Sequence, residues 1–404
     1  MDEAKVFGKR LREVRIWREL TLREAAGLAG RSVSFWGQVE RGERAVNSRN
    51  TLEAIAGALR VAPTELTGQP YTLADSTTSE AHAVVSAVEG ALNDYELGEP
   101  PADIRPRPWE AIAADLDRLN RDLRPRDDYA AQGAVLPSLL AELHATYVTD
   151  PARRREALVA LLDVYQCAAF LTKGLGVRGL PMLATVRAAR VADELDDPAW
   201  SGVVAFVHGQ SSGAAHRPQQ YRRSVTAADA LRPHLNDRRA AQVYGMLHLN
   251  AALACAAERR ADDMATHLDE AAALADRLDH EVGAFANLWF GRANVSVWRV
   301  GLATELGEGG RVAELARDVH PEILPLQRQS MYWADLGRGL VTERRTRDQG
   351  VQALIHAEQL APQDIRNNPF VRETVADLLR QARRDAGGRE LRGLAWRMGV
   401  ATIG

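Results

Sequence analysis

The amino-acid sequence predicts an all-α protein, a small helical head followed by a much longer body of stacked helix pairs. Three observations predict it. Alternating β-branched runs are missing, and almost every apolar pattern repeats at helical spacing. The 404 residues exceed what one ordinary core holds, so two or more domains are expected. Turn-forming residues cut the chain into short helices before residue 67 and into longer ones after residue 109.

The head comes first. Residues 5–66 read as several short helices broken at Leu20-Thr21, Gly30, Gly42 and Pro63. Within it, residues 20–42 carry the strongest motif. Thr21 caps one helix, with Glu24 three positions on as its capping-box partner. Two short helices crossing steeply need a small residue where they touch, and Ala26 supplies it. Their turn needs positive φ, which Gly30 accepts. Ser32 caps the second helix, and Trp36 and Val39 face the core.

A segment at 69–108 reads as a linker containing one helix, whose apolar side is Val84, Val85, Val88, Leu92 and Tyr95. Pro100, Pro101, Pro106 and Pro108 make its end a stiff spacer. The body, 109–404, breaks near Arg124-Pro125, Asp150-Pro151, Asp197-Pro198, Arg217-Pro218, Asn236-Asp237, Arg260-Ala261, Gly307 to Gly310 and Pro362. Short turns between helices of this kind give antiparallel pairs.

Charge separates the two parts. Residues 1–70 hold 12 Lys/Arg against 9 Asp/Glu, while the remainder holds 39 against 45. A basic head on an acidic body suits one end that meets phosphates and another that does not. The two cysteines, Cys167 and Cys255, sit in apolar helical patterns, as buried thiols of a reducing cytosol do. No run of 18 apolar residues and no leader-like N-terminus is seen, so a cytoplasmic protein without a membrane span is expected. Phosphate loops, metal-binding pairs and nucleophile elbows are missing too, so neither catalysis, a cofactor nor a metal is expected.

Residues 8–66 resemble the XRE family of helix-turn-helix regulators, which includes the lambdoid phage repressors. The likeness rests on Gly8-Lys9-Arg10-Leu11-Arg12-Glu13-Val14-Arg15, the Gly30 turn, Val39-Glu40-Arg41-Gly42, and Thr51-Leu52 through Leu66. It implies a lambda-repressor-like domain of five helices whose third enters the major groove of double-stranded DNA. Carried over, it implies that Val33, Ser34 and Gln38 point at base edges, with Phe35, Arg41 and Arg49 near the backbone. Arg15 and Glu40 would pair internally. Leu22 stands where the family usually has a phosphate-clamping Gln, and Arg31 where it usually has a branched apolar residue. With Ser32 at the cap, Arg31 to Phe35, Gln38, Arg41 and Arg49 form the expected DNA-binding set.

The body resembles the C-terminal half of actinobacterial XRE regulators with tetratricopeptide-like domains, through Phe290 to Val295, Glu305-Leu306-Gly307, Ala357 to Pro362 and Asn368 to Glu373. One helix pair matches the repeat well, with Trp333, Leu336, Gly337 and Leu340 followed by Gly350, Leu354, Ala357 and Pro362. A tetratricopeptide-like α-solenoid is therefore expected. Asn287, Gly291, Asn294 and Trp298 follow i, i+4, i+7 and i+11 and so form one stripe on one helix, with Arg292 and Arg299 beside it to meet a carboxylate. They and His248 are the expected sites for a small-molecule or peptide effector, with His208 and Tyr244 as weaker candidates. The alternative is a body that binds a partner protein. Heads of this family usually act as homodimers on palindromic operators, so nucleoid association in a bacterial cytoplasm is also expected.

Overall fold

The computed structural model describes residues 3–18, 20–46, 49–59, 61, 66, 76–99, 104–212, 216–382 and 389–400. Among these residues there are helices and turns but no strand.

The head contains α1 (Glu3–Trp17), α2 (Leu22–Leu28), α3 (Val33–Glu40) and α4 (Arg49–Leu59). Leu11, Ala26, Trp36, Val39, Leu52 and Ile55 are fully buried at its centre. Helix α1 lies very close to the end of α3, because Gly8 has no side chain. A Cβ there would sit 2.5 Å from the carbonyl oxygens of Val39 and Glu40. Most of an expected fifth helix falls outside the described residues.

The segment expected as a linker is structured and belongs to the body. It forms α5 (Ser76–Ala83) and α6 (Val85–Asp94), which break at Val84. Val88 and Leu92 are fully buried in the body's main core, where their apolar stripe meets α8 and α10. Pro100 and Pro101 of the expected spacer lie outside the described residues, but its end is held. Arg107 donates from Nε to Glu142 Oε1 at 2.7 Å and from Nη2 to Asp115 Oδ2 at 2.7 Å.

The body continues as α7 (Trp109–Arg118), α8 (Tyr129–Thr149), α9 (Arg154–Gly174), α10 (Leu180–Leu195), α11 (Pro198–Ser211), α12 (Arg217–Leu231), α13 (Arg238–Ala257) and α14 (Ala261–Leu278). After a long loop come α15 (Arg292–Leu306), α16 (Gly309–Leu315), α17 (Leu326–Leu340), α18 (Arg347–Leu360), α19 (Pro362–Ile365), α20 (Pro369–Ala382) and α21 (Arg389–Arg397). Every break expected after residue 109 falls at or beside a helix end. Asp128, Asp150, Asp197 and Asp237 each accept a backbone N–H of the helix or 3-10 turn that follows, which fixes those starts. Helices pack chiefly on their neighbours in sequence, with α9–α10, α12–α13, α13–α14 and α17–α18 the most extensive pairs. Gly337 and Gly350 are where α17 and α18 touch, since a Cβ on either would lie 2.9 Å from the carbonyl of the other.

One segment, Pro151–Gly174, is long and apolar enough to cross a membrane, contrary to the expectation from apolar runs, and 72% of its most apolar window is buried in the protein. It passes because four of its charged residues cluster at its start and Lys173 lies at its end, with only Asp163 between, and it packs as a core helix.

The stack closes on itself. Tyr129 Oη donates to Asp364 Oδ1 at 2.9 Å, and the Ala130 amide donates to Gln363 Oε1 at 2.9 Å. His82 meets Asn367 at 3.3 Å across the same seam. The loop 279–291 lies against the start of the body, where buried Gln166 donates to the Ala286 carbonyl at 2.9 Å. Asp279, Ala286, Asn287 and Trp289 all take left-handed conformations, with φ of 50°, 50°, 52° and 58°. For alanine and tryptophan that conformation is strained.

Candidate functional site

In the head, local chemistry positions α2 and α3. The Glu24 amide donates to Thr21 Oγ1 at 3.2 Å, and the Thr21 amide donates back to Glu24 Oε2 at 2.8 Å. Gly30 turns the chain at φ 61°, and Ser32 Oγ accepts the Phe35 amide at 3.1 Å. Trp36 and Val39 then anchor one face of α3 in the core, both with no exposed surface. Glu40 ties the far end down. It receives Arg15 Nε at 2.5 Å, Arg15 Nη2 at 3.0 Å and the Trp36 indole N–H at 2.8 Å.

The opposite face of α3 is left open. Val33 is 45% exposed, Ser34 is exposed and Gln38 is partly so. Phe35 lies beside them, partly packed on the head core. The guanidinium groups of Arg44 and Arg31 approach its ring to 4.8 Å and 5.9 Å. Arg31 is less free than a surface arginine. Its Nη2 donates to Thr51 Oγ1 at 2.9 Å while its Nε is buried without a partner. Burial, followed by the positive charges of Arg259 and Arg44, holds it below the ordinary arginine range. Arg41 is exposed but donates twice to Glu43, at 2.8 Å each. Arg49 opens α4, and its side chain lies outside those described.

Arg44 was not expected from the sequence. Its position directly after α3, in the basic run Arg41-Gly42-Glu43-Arg44, is the signal that could have found it.

Residues 6–67 match the model of a family described as a helix-turn-helix domain. The chain thus carries an N-terminal helix-turn-helix domain of the kind by which regulators bind DNA. No curated protein matches the chain, and no solved structure matches it.

In the body, the expected stripe does not form. Helix α15 begins only at Arg292, and Asn287 lies in the preceding strained loop. There its amide sits between Arg124 Nη1, 3.0 Å away, and the Asn120 carbonyl, 3.2 Å away. Gly291 answers a close backbone approach, since a Cβ would stand 2.2 Å from the Glu281 oxygen. Arg292 is paired with Glu281 at 2.6 Å and Asp279 at 3.5 Å. His248 belongs to a second cluster. Its Nδ1 meets His267 Nδ1 at 3.0 Å, its ring stacks on Tyr244 at 4.5 Å, and burial pushes its pKa down to about 4. His208 is half-buried and contacts Ser212 of its own helix end.

Two of the expected residues do converge, around a third that sequence reasoning missed. Arg328 Nε donates to Asn294 Oδ1 at 3.0 Å, and its guanidinium lies 5.6 Å from the Trp298 ring centre. Asn294 is fully buried and donates from Nδ2 to the Leu288 carbonyl at 3.2 Å.

Proposed function

We propose that this chain is a sequence-specific transcriptional regulator of the XRE type. It reads double-stranded DNA with α3 and responds to an effector through a tetratricopeptide-like body. The observation that carries this reading is the open face of α3, held rigidly from behind by Trp36, Val39 and Glu40. Gln38 is placed to pair bidentately with adenine, worth about 1–3 kcal/mol of discrimination. Val33 offers methyl contact to thymine, and Ser34 offers a hydroxyl. Arg31, Arg41, Arg44 and Arg49 surround them with positive charge for phosphates, and Phe35 packs beside that charge. Arg41 has to leave Glu43 to reach a phosphate, so Arg44 is the readier of the two.

The body is linked to the head by packing. Phe370 on α20 packs against the head core, and the Arg338 guanidinium lies 5.2 Å from its ring. Arg338 is itself paired with Glu305 of α15 at 3.2 Å. Helices α15 and α17, which hold Trp298 and Arg328, thus have a physical route to the DNA-reading domain. An effector that binds one arrangement of these helices more tightly than another shifts operator affinity by that difference. The protein acts as a homodimer on a palindromic operator in the bacterial cytoplasm, without catalysis, cofactor or metal. Arg328, set at the ring's seam, favours a small effector over a partner protein.

The test is a binding titration of the full-length protein on its own upstream DNA across a salt series, beside Gln38→Ala. Affinity should fall steeply with salt. The variant should lose about 1–3 kcal/mol on the operator and nothing on random DNA. Equal affinity of both proteins for both DNAs would overturn the reading.

A further inference from the structure

We propose that the side chains of Arg328, Trp298 and Asn294 form a binding site for a small aromatic monocarboxylate, close to Asp127 and the seam that closes the body. The inference rests on the effector-responsive reading of the body and names the chemistry of its ligand.

Several buried or part-buried arginines of the body are answered by carboxylates. Arg338 pairs with Glu305 and Asp335, Arg366 and Arg397 share Glu358, and Arg124 faces Asp163 at 3.7 Å. Arg328 differs. No carboxylate among the described residues lies within ion-pair distance of it, although Asp127 and Asp335 are near enough to act on its charge. Of its five N–H donors, one meets Asn294 Oδ1 and one meets the Met331 thioether sulfur at 3.2 Å, a weak acceptor. The rest have no acceptor among the described residues. The group is nonetheless closely surrounded by protein, and burial pushes its pKa down to about 10. The guanidinium is partly open to solvent, so an arginine held this way has donors to spare for a ligand that reaches it.

The neighbouring unanswered group is also a donor. The Trp298 indole N–H is buried and has no hydrogen-bond partner. A ligand for this place therefore supplies acceptors and negative charge, which a carboxylate does in the planar, two-oxygen geometry that a guanidinium matches. The indole beside it offers a flat apolar face for a ring. The negative charges of Asp127 and Asp335 weigh against a dianion such as phosphate. Asn294 connects the site to the strained loop, because its oxygen holds Arg328 and its nitrogen holds Leu288.

The experiment is calorimetric titration of the DNA-free, full-length protein with benzoate, phenylacetate and indole-3-acetate. Phenethylamine and inorganic phosphate are the comparison probes. Wild type, Arg328→Met and Trp298→Phe are each measured, together with their unliganded thermal midpoints. The expected result is saturable binding of at least one carboxylate, with neither the amine nor phosphate binding as tightly. Arg328→Met should lose at least tenfold in affinity while its unliganded midpoint stays level or rises. Trp298→Phe should lose a few-fold. The proposal is overturned if no carboxylate saturates, if phosphate binds more tightly, or if Arg328→Met binds as wild type does. The two readings fail separately. Carboxylate binding with an unchanged operator affinity keeps the site and removes the sensing role. Specific DNA binding without carboxylate binding does the reverse.

Discussion

In the head, helices α2 and α3 start on caps supplied by the residue just before them, and the turn between them is a glycine within the motif. In the body, decisive polar contacts join residues far apart in the chain, such as Tyr129 with Asp364 and Gln166 with Ala286. The head is specified by neighbours and leaves its working face open. The body is specified by closure and turns its polar groups inward. A reading surface must be presented to a large rigid partner, whereas the effector-responsive body proposed above needs groups that can be desolvated and rearranged. The two parts should therefore fail differently.

The largest difference is expected at Glu358. It is 3% exposed, and it receives both Arg366 and Arg397, joining α18 to the last helix. Glu358→Ala leaves two arginines short of their counter-charge and should cost about 3–5 kcal/mol. Chemical denaturation followed by tryptophan fluorescence reads this loss. Operator affinity per folded molecule should stay unchanged, and a Glu358→Ala protein as stable as wild type would break the contrast.

Acid should also separate the parts, since residues 1–66 contain no histidine while the body holds buried ones. His144 is fully buried, and burial, followed by the charge of Arg187, pushes its pKa down to about 4. The unfolded chain takes up a proton near pH 6.5 and the folded chain only near pH 4, so stability falls as pH falls through that window. The loss is about 3 kcal/mol for this one residue. His144→Gln, which keeps an amide facing the Tyr165 hydroxyl, should flatten the pH dependence of unfolding between 6.5 and 4. An unchanged slope would assign the effect elsewhere.

The smallest effect belongs to the head's caps. Ser32→Ala should cost about 1 kcal/mol. Exchange of the Phe35 amide, which Ser32 holds, should speed up about fivefold, as that free energy implies. Amides in α9 should exchange as before.

These differences also decide what the sequence could tell. Thr21, Gly30 and Ser32 are legible because each answers a need within a short motif, and the Arg15–Glu40 pair because the family resemblance implies it. Arg31 is expected among the DNA contacts, and only the packing of α4 reveals that it also engages Thr51 and Phe35. The helix ends of the body were legible from Asp-Pro and glycine breaks. The stripe from Asn287 to Trp298 was not, because helical spacing continues across a break made by tertiary contacts. Nothing in the local sequence demands left-handed Ala286 or Trp289. Arg328 carries no signal at all. Its meaning lies in the partner it lacks.

Closure of the body has a consequence for the order of events during synthesis. The Tyr129–Asp364 contact spans 235 residues, so a nascent chain that stops short of residue 364 cannot make it. Roughly 300 residues separate the end of the head from that point, about 15–60 s of translation at ordinary rates. The head is thus made well before the body can close. On the proposed reading, control by the body would begin only when the final helices have left the ribosome, and a truncated product would carry a reader with no regulator.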